Sequence, residues 1–218
     1  SVYKSALHEK FNIFTTNYDT AIEKYFTAKL SYSSYDTGAI DNFPEVDMDR
    51  FILRYYCRTN ENRMKLLKLH GSINWMMDNN NKIIQKGLND NLDKILDEYE
   101  PGTVKDEVII YPLSQKQLYL TPFIQMFYHL NRELKENKVW IIIGYSFRDV
   151  VIKTMFENSI GGINKILIID PKSESIKYSF NEECQKKIIT ISGEFGDDKS
   201  DTTNKEFAKN LRQIEDEY

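Results

Sequence analysis

Apolar residues in this chain come in short runs that stop on small or polar side chains. The clearest run is Val139-Trp140-Ile141-Ile142-Ile143, followed at once by Gly144-Tyr145-Ser146-Phe147-Arg148-Asp149. Five apolar residues in a row, rich in β-branched side chains, predict a strand buried on both faces. Gly144 lets the chain turn, and a helix-like run follows over residues 150–158. Two other stretches end in the same manner. Residues 11–15 run into Thr16-Asn17-Tyr18-Asp19, and residues 64–69 run into His70-Gly71-Ser72. Strand, tight turn and helix form the unit at which open α/β folds place their ligands, at the carboxyl ends of the strands.

The remaining pattern fits the same class. Residues 2–9 read as the end of a helix, and residues 18–30 as a helix with Ala21, Ile22, Tyr25 and Phe26 on one face. Residues 32–41 are rich in Ser, Tyr and Gly and read as loop or irregular strand. Residues 48–60 are ambiguous, with Phe51, Leu53 and Tyr55 alternating in favour of strand. Residues 72–77 and 82–85 flank Asp78-Asn79-Asn80-Asn81 and predict a hairpin, because Asn tolerates the positive φ of such turns. A short helix over residues 90–99 ends at Glu100-Pro101-Gly102, and residues 108–111 form another apolar strand. Thr121-Pro122 is a good helix start, with Phe123, Met126, Phe127, Leu130 and Leu134 following at helical spacing. Residues 166–169 end in Asp170-Pro171, residues 188–191 end in Ser192-Gly193, and residues 204–217 form a closing helix. About six short strands interleaved with helices predict an α/β fold. Its sheet is parallel and Rossmann-like, with helices on both faces. The chain reads as one domain over residues 1–218, with a small inserted helical or mixed lobe at residues 31–66.

Composition narrows the function classes. The 218 residues are 41% hydrophobic and 28% charged, ordinary for a globular protein. A net charge of -4 gives no support to direct nucleic-acid binding. No apolar run approaches the roughly 20 residues that span a bilayer. Cys57 and Cys184 stand far apart and read as reduced thiols of a cytoplasmic protein, and no CxxC pair offers a zinc site. No metal is expected.

Several strand-end residues can carry chemistry. The amide of Asn17 can hold a ribose hydroxyl or a water, and the carboxylate of Asp19 can orient it; both residues are equally at home as helix caps. His70 can exchange a proton near neutral pH, or simply bond the neighbouring loop. Gly144 and Ser146 invite a serine-hydrolase reading, which fails. Position 148 is Arg where a nucleophile elbow needs Gly, and no His follows His129. The better reading is a ligand-binding turn, with Gly144 admitting the ligand to the backbone and Ser146 offering a hydroxyl at a helix start. Asp170 either accepts from ribose hydroxyls or makes an ordinary Asp-Pro turn. Tyr25, Tyr32 and Tyr35 could line a pocket near the Asn17 turn.

Taken together, these turns resemble the sirtuin-like family. Thr15-Thr16-Asn17-Tyr18-Asp19 resembles its Thr-x-Asn-x-Asp motif, Leu69-His70-Gly71-Ser72 its His-Gly motif, and Gly144-Tyr145-Ser146 its Gly-x-Ser motif. Order and strand context match over roughly residues 11–193. The interval 72–139 holds no Cys, so the zinc ribbon of the protein deacylases is missing. The wording is similar to the prokaryotic zinc-free branch, whose members often consume NAD in anti-phage defence, fused to or paired with other modules.

The resemblance implies roles. Asn17 and Asp19 would hold the nicotinamide ribose region and position a water, with His70 as general base or acid at that ribose. Thr15, Thr16 and Gly71 would line the same cofactor site. Gly144 and Ser146 would contact the adenosine side, with Asp170 at its ribose and Gly193 by the adenine. The family's Gly-rich loop around the pyrophosphate should precede residue 11 by many residues; either a longer parent chain supplies it, or this copy is degenerate and does not turn over NAD. Three functions follow as expectations: NAD hydrolysis at the nicotinamide-ribose bond, an NAD or ADP-ribose sensing module, and, last, a deacylase. A fused or separate partner domain and a homo-oligomer are compatible with each, and no membrane partner is expected.

Overall fold

A computed structural model describes residues 12–24, 35–36, 45–46, 64–78, 83–85, 104–110, 123–194 and 201–216. The chain separates into two compact units, Ser1–Tyr128 and His129–Tyr218. The predicted helices at residues 2–9 and 90–99, and the ambiguous stretch 48–60, lie outside the described residues, as does most of the predicted lobe.

The first unit holds two sheets. Strands β1 (Asn12–Thr15), β4 (Met64–Lys68) and β2 (Tyr35–Asp36) form a parallel sheet in the order β1-β4-β2. Strands β3 (Glu45–Val46), β6 (Ile83–Gln85), β5 (Gly71–Asp78) and β7 (Val104–Ile109) form an antiparallel sheet in the order β3-β6-β5-β7. The predicted hairpin is present, with Met77 opposite Ile83. The strand expected at residues 108–111 differs from expectation. It starts earlier, at Val104, and joins the antiparallel sheet beside β5 rather than a parallel one. The chain leaves β4 through only Leu69 and His70 before entering β5, too short a link for the crossover a parallel neighbour needs.

The second unit is built on a parallel sheet of β8 (Val139–Ile143), β9 (Lys165–Ile169) and β10 (Ile188–Ile191), in the order β10-β9-β8. Helix α1 (Phe123–Glu136) begins at the end of the first unit and leads into β8. Helix α2 (Val150–Ser159) links β8 to β9, and α3 (Ser173–Tyr178) with α4 (Glu182–Lys187) links β9 to β10. Helix α5 (Asp201–Asp216) closes the unit.

Strand β9 is the centre of the second core. Ile166, Leu167, Ile168 and Ile169 are all at most 1% exposed, so both of its faces are covered. Burial of such side chains contributes about 1.5–3 kcal/mol each. Leu167 and Ile169 pack with Ile191 of β10 and with Phe207 and Ile214 of α5. On the other face, Trp140 meets Phe156 of α2 edge-on at 5.3 Å. Strand β8 departs from its predicted two-sided burial: Ile141 and Ile143 are 41% and 49% exposed, while Ile142 is buried. Both exposed residues lie in register with Leu167 and Ile169. The cluster of Phe207 and Ile214 meets β8 at Val139, while Ile141 and Ile143 further along the strand stay exposed.

Candidate functional site

In the first unit, pairing of β1 with β4 brings two predicted turns together. Thr15 stands opposite Lys68, and the Leu69 N–H donates to the Thr15 carbonyl at 2.8 Å. The residues that follow each strand, 16–19 and 69–72, therefore leave the sheet side by side. The Ile73 N–H donates to the Tyr18 carbonyl at 3.0 Å, which ties the turns again one step further on. Tyr18 donates its hydroxyl to the Ile110 carbonyl at 2.9 Å, and Ile110 donates its N–H to the His70 carbonyl at 2.8 Å. Burial raises the Tyr18 hydroxyl above its usual range, so it stays a donor.

His70 is buried beside two aromatic rings. Its centroid lies 6.4 Å from that of Tyr18 and 6.4 Å from that of Phe127. Gly71 is required there: its φ is +85°, and a Cβ would stand 1.9 Å from the Val108 carbonyl oxygen. Asn17 is exposed at the turn, with its N–H donated to the Thr15 hydroxyl at 3.1 Å. Thr16 is half-buried beside it. Asp19 is also exposed, and its Oδ1 accepts from the Ala21 N–H at 2.9 Å, capping the helical turn over residues 21–24. One carboxylate oxygen of Asp19 thus has the cap role that its residue type allows.

Beneath these turns lies a buried polar group that sequence reasoning missed. Lys68 and Glu23 form an ion pair at 2.9 Å, with side chains 2% and 3% exposed. The Lys68 ammonium also donates to the Ser72 hydroxyl at 2.7 Å, the Tyr18 carbonyl at 3.2 Å and the Asp19 carbonyl. The Ser72 hydroxyl donates to Asn74 Oδ1 at 2.6 Å, with the Tyr18 carbonyl a second acceptor at 3.2 Å. The signal for it in the sequence was slight: Lys68 alternates with the apolar Leu66 on β4, and its anion, Glu23, lies 45 positions away.

The second unit gathers its own three turns. The Gly144 N–H donates to the Ile169 carbonyl at 3.0 Å, and the Asp170 N–H to the Ile191 carbonyl at 3.2 Å. The carboxyl ends of β8, β9 and β10 are thereby aligned, with Gly144, Asp170 and Ser192 leaving in a row. Gly144 has φ +63° and nothing within 4 Å of where a Cβ would be, so its backbone is open to close approach. Ser146 is exposed. It does not begin the helix as expected: α2 starts at Val150, and its cap is Asp149, whose Oδ1 accepts from Val151 at 3.0 Å and Ile152 at 3.5 Å. Phe147 intervenes with a φ of +54°. Its ring is buried against Tyr145, Phe156 and Phe180, at centroid distances of 4.8, 5.1 and 4.9 Å.

The Tyr145 hydroxyl is enclosed with no hydrogen-bond partner among the described residues. Its ionisation is pushed well above the usual tyrosine range, first by burial and then by the Asp149 carboxylate. Asp170 Oδ1 accepts from the Lys172 N–H at 2.7 Å, which is the turn role. A Cβ at Gly193 would stand 2.1 Å from the Thr203 hydroxyl, so this glycine packs against the first turn of α5. Among the described residues, no group of three or more His, Cys, Asp or Glu is placed to hold a metal ion. None of their helices is long and apolar enough to cross a membrane.

Each unit has its own aligned set of strand ends, tipped with polar residues and a left-handed glycine, and such strand ends are where open α/β folds place their ligands. The chain belongs to the SIR2-like domain family, whose description matches residues 12–192. That membership supports an NAD-related function. No curated protein matches the chain.

Proposed function

We propose that this domain binds NAD and hydrolyses the bond between nicotinamide and ribose. The observation that carries the proposal is the lashing of the Asn17-Tyr18-Asp19 turn to the His70-Gly71-Ser72 turn, which sets an amide, a carboxylate and an imidazole on neighbouring loops. In the reaction, nicotinamide leaves with the electron pair of its bond to C1′, and water supplies the new C1′–O bond. Asn17 and Asp19 would hold the ribose and the water, with Thr15, Thr16 and Gly71 shaping the same pocket. His70 would take the proton that water releases. Gly144 and Ser146 would receive the adenosine side, Asp170 its ribose, and Gly193 the adenine end. The open backbone at Gly144 fits the approach of a ligand with hydroxyl and phosphate groups. The reading carries with it the Rossmann-like sheet of about six parallel strands expected from the sequence. Within it, anti-phage defence in a prokaryote is the setting, with a fused or separate partner domain or a homo-oligomer as the assembly. The test is nicotinamide release from NAD by the intact protein, its His70→Ala variant and its Asn17→Ala variant. Loss of release in both variants supports the assignment, and full activity in both overturns it.

A second reading, a sensor of NAD or ADP-ribose that does not turn over, is favoured by the capping roles of Asp19 and Asp170. Each carboxylate spends one oxygen on its own backbone. Calorimetry with ADP-ribose beside the release assay separates the two, since binding without release supports the sensor. A deacylase is the least supported reading, and NAD-dependent release of acetyl groups from an acetylated peptide would restore it.

A further inference from the structure

We infer that Lys68 is the positioning residue of this site: its buried ammonium holds the Asn17-bearing turn and the His70-bearing turn in one arrangement. The inference rests on the hydrolytic reading for its kinetic consequence, but the tie itself is independent of turnover.

A lysine at 2% exposure is unusual unless its charge and its donors are all met. Here an ammonium with three N–H groups faces four acceptors: Glu23 Oε1, Ser72 Oγ, and the Tyr18 and Asp19 carbonyls. These come from three separate places in the chain. Tyr18 and Asp19 belong to the turn after β1, Glu23 to the helical turn that follows, and Ser72 to the start of β5. Lys68 itself ends β4, two residues before His70. The ammonium therefore pulls the backbone carbonyls of Tyr18 and Asp19 inward, next to the strand that delivers His70. Asn17 and Asp19 are exposed on the same turn. Ser72 extends the tie by bonding Asn74, which is 4% exposed.

Lys68 does not serve through its charge on a substrate, because its donors are already committed. It acts through geometry. A displacement of about 1 Å in a reacting group costs on the order of 10²-fold in rate. Replacing the ion pair by two apolar side chains is often neutral for stability, whereas removing one partner strands the other. That difference separates a positioning role from a purely structural one.

The experiment compares wild type, Lys68→Met, and the double variant Lys68→Met with Glu23→Met. Kinetics of NAD cleavage, thermal stability, and hydrogen exchange at the Ile73 and Leu69 amides are read for each. The expected result for Lys68→Met is a lowered Tm, with kcat down by about 10²-fold and KM for NAD changed far less. The double variant recovers Tm but not kcat, and its Ile73 amide exchanges about tenfold faster or more, since its bond to the Tyr18 carbonyl is no longer braced. Recovery of kcat together with Tm in the double variant, or unchanged exchange at Ile73, overturns the inference. A wild-type protein that releases no nicotinamide overturns the hydrolytic reading alone, and the exchange data then decide the tie by themselves.

Discussion

Gly71 and Val108 approach so closely that a single added carbon would lie 1.9 Å from the Val108 carbonyl oxygen. This contact fixes the hand of the turn that follows His70, because the φ of Gly71 is +85°. Gly71→Ala should destabilise the protein by about 2–4 kcal/mol, from the left-handed backbone and from overpacking against β7. Urea denaturation measures it. A change below about 0.5 kcal/mol would show that the turn can relax around a methyl group.

Gly144 makes the opposite prediction. Its φ is +63°, yet there is open space where a side chain would go. Gly144→Ala should cost only about 1–2 kcal/mol of backbone strain, while Gly144→Asn should cost less, since Asn tolerates that conformation. Both should weaken ADP-ribose binding if the opening receives the ligand. Calorimetry beside denaturation separates the two effects, and unchanged affinity in both variants would remove Gly144 from the binding surface.

Asp149 is the cap of α2, accepting from Val151 and Ile152. Asp149→Ala should cost about 1 kcal/mol of stability, and Asp149→Ser distinctly less. It should also lower the ionisation range of Tyr145, because one of the two causes raising it is the Asp149 carboxylate. Spectrophotometric titration at alkaline pH, compared with a Tyr145→Phe control, reads that shift. No movement would show that burial alone sets it.

Cys184 is fully buried in α4, and its thiol is pushed up to about 11 from an ordinary value of 9.0. Burial is the first cause, followed by the Glu157 and Glu183 carboxylates, against Lys187 and Asn181. The folded protein thus holds this proton more tightly than the unfolded chain. The resulting stability is complete below pH 9.0 and is lost as pH rises through about 11. Wild type should lose more stability across that window than Cys184→Ala does, although the variant starts lower. Denaturation curves at each end of the window test the sign. Peptide-resolved alkylation should label Cys184 only after unfolding.

The strands were legible where β-branched runs were long, as at residues 139–143 and 166–169, since such runs have few other uses in a globular chain. The helix over residues 150–159 was legible too, but its cap was not. Both Ser146 and Asp149 are capping types, and only the left-handed Phe147 between them decides for Asp149. The His70 turn was visible as a motif, and its support was not. Lys68 looks like a surface residue until Glu23, 45 positions away, is placed beside it. Likewise, two-sided burial of β8 could not be judged from its own residues, because the reach of α5 across the sheet decides which isoleucines are covered.

Phe147 has a further consequence. Its main chain is held in a costly conformation by the seating of its own ring among Phe156, Phe180 and Tyr145. The path of the loop from Gly144 to Asp149 is therefore dictated from underneath, by aromatic packing in the second unit. A guest arriving at that loop would meet a finished surface and would lose little entropy in shaping it.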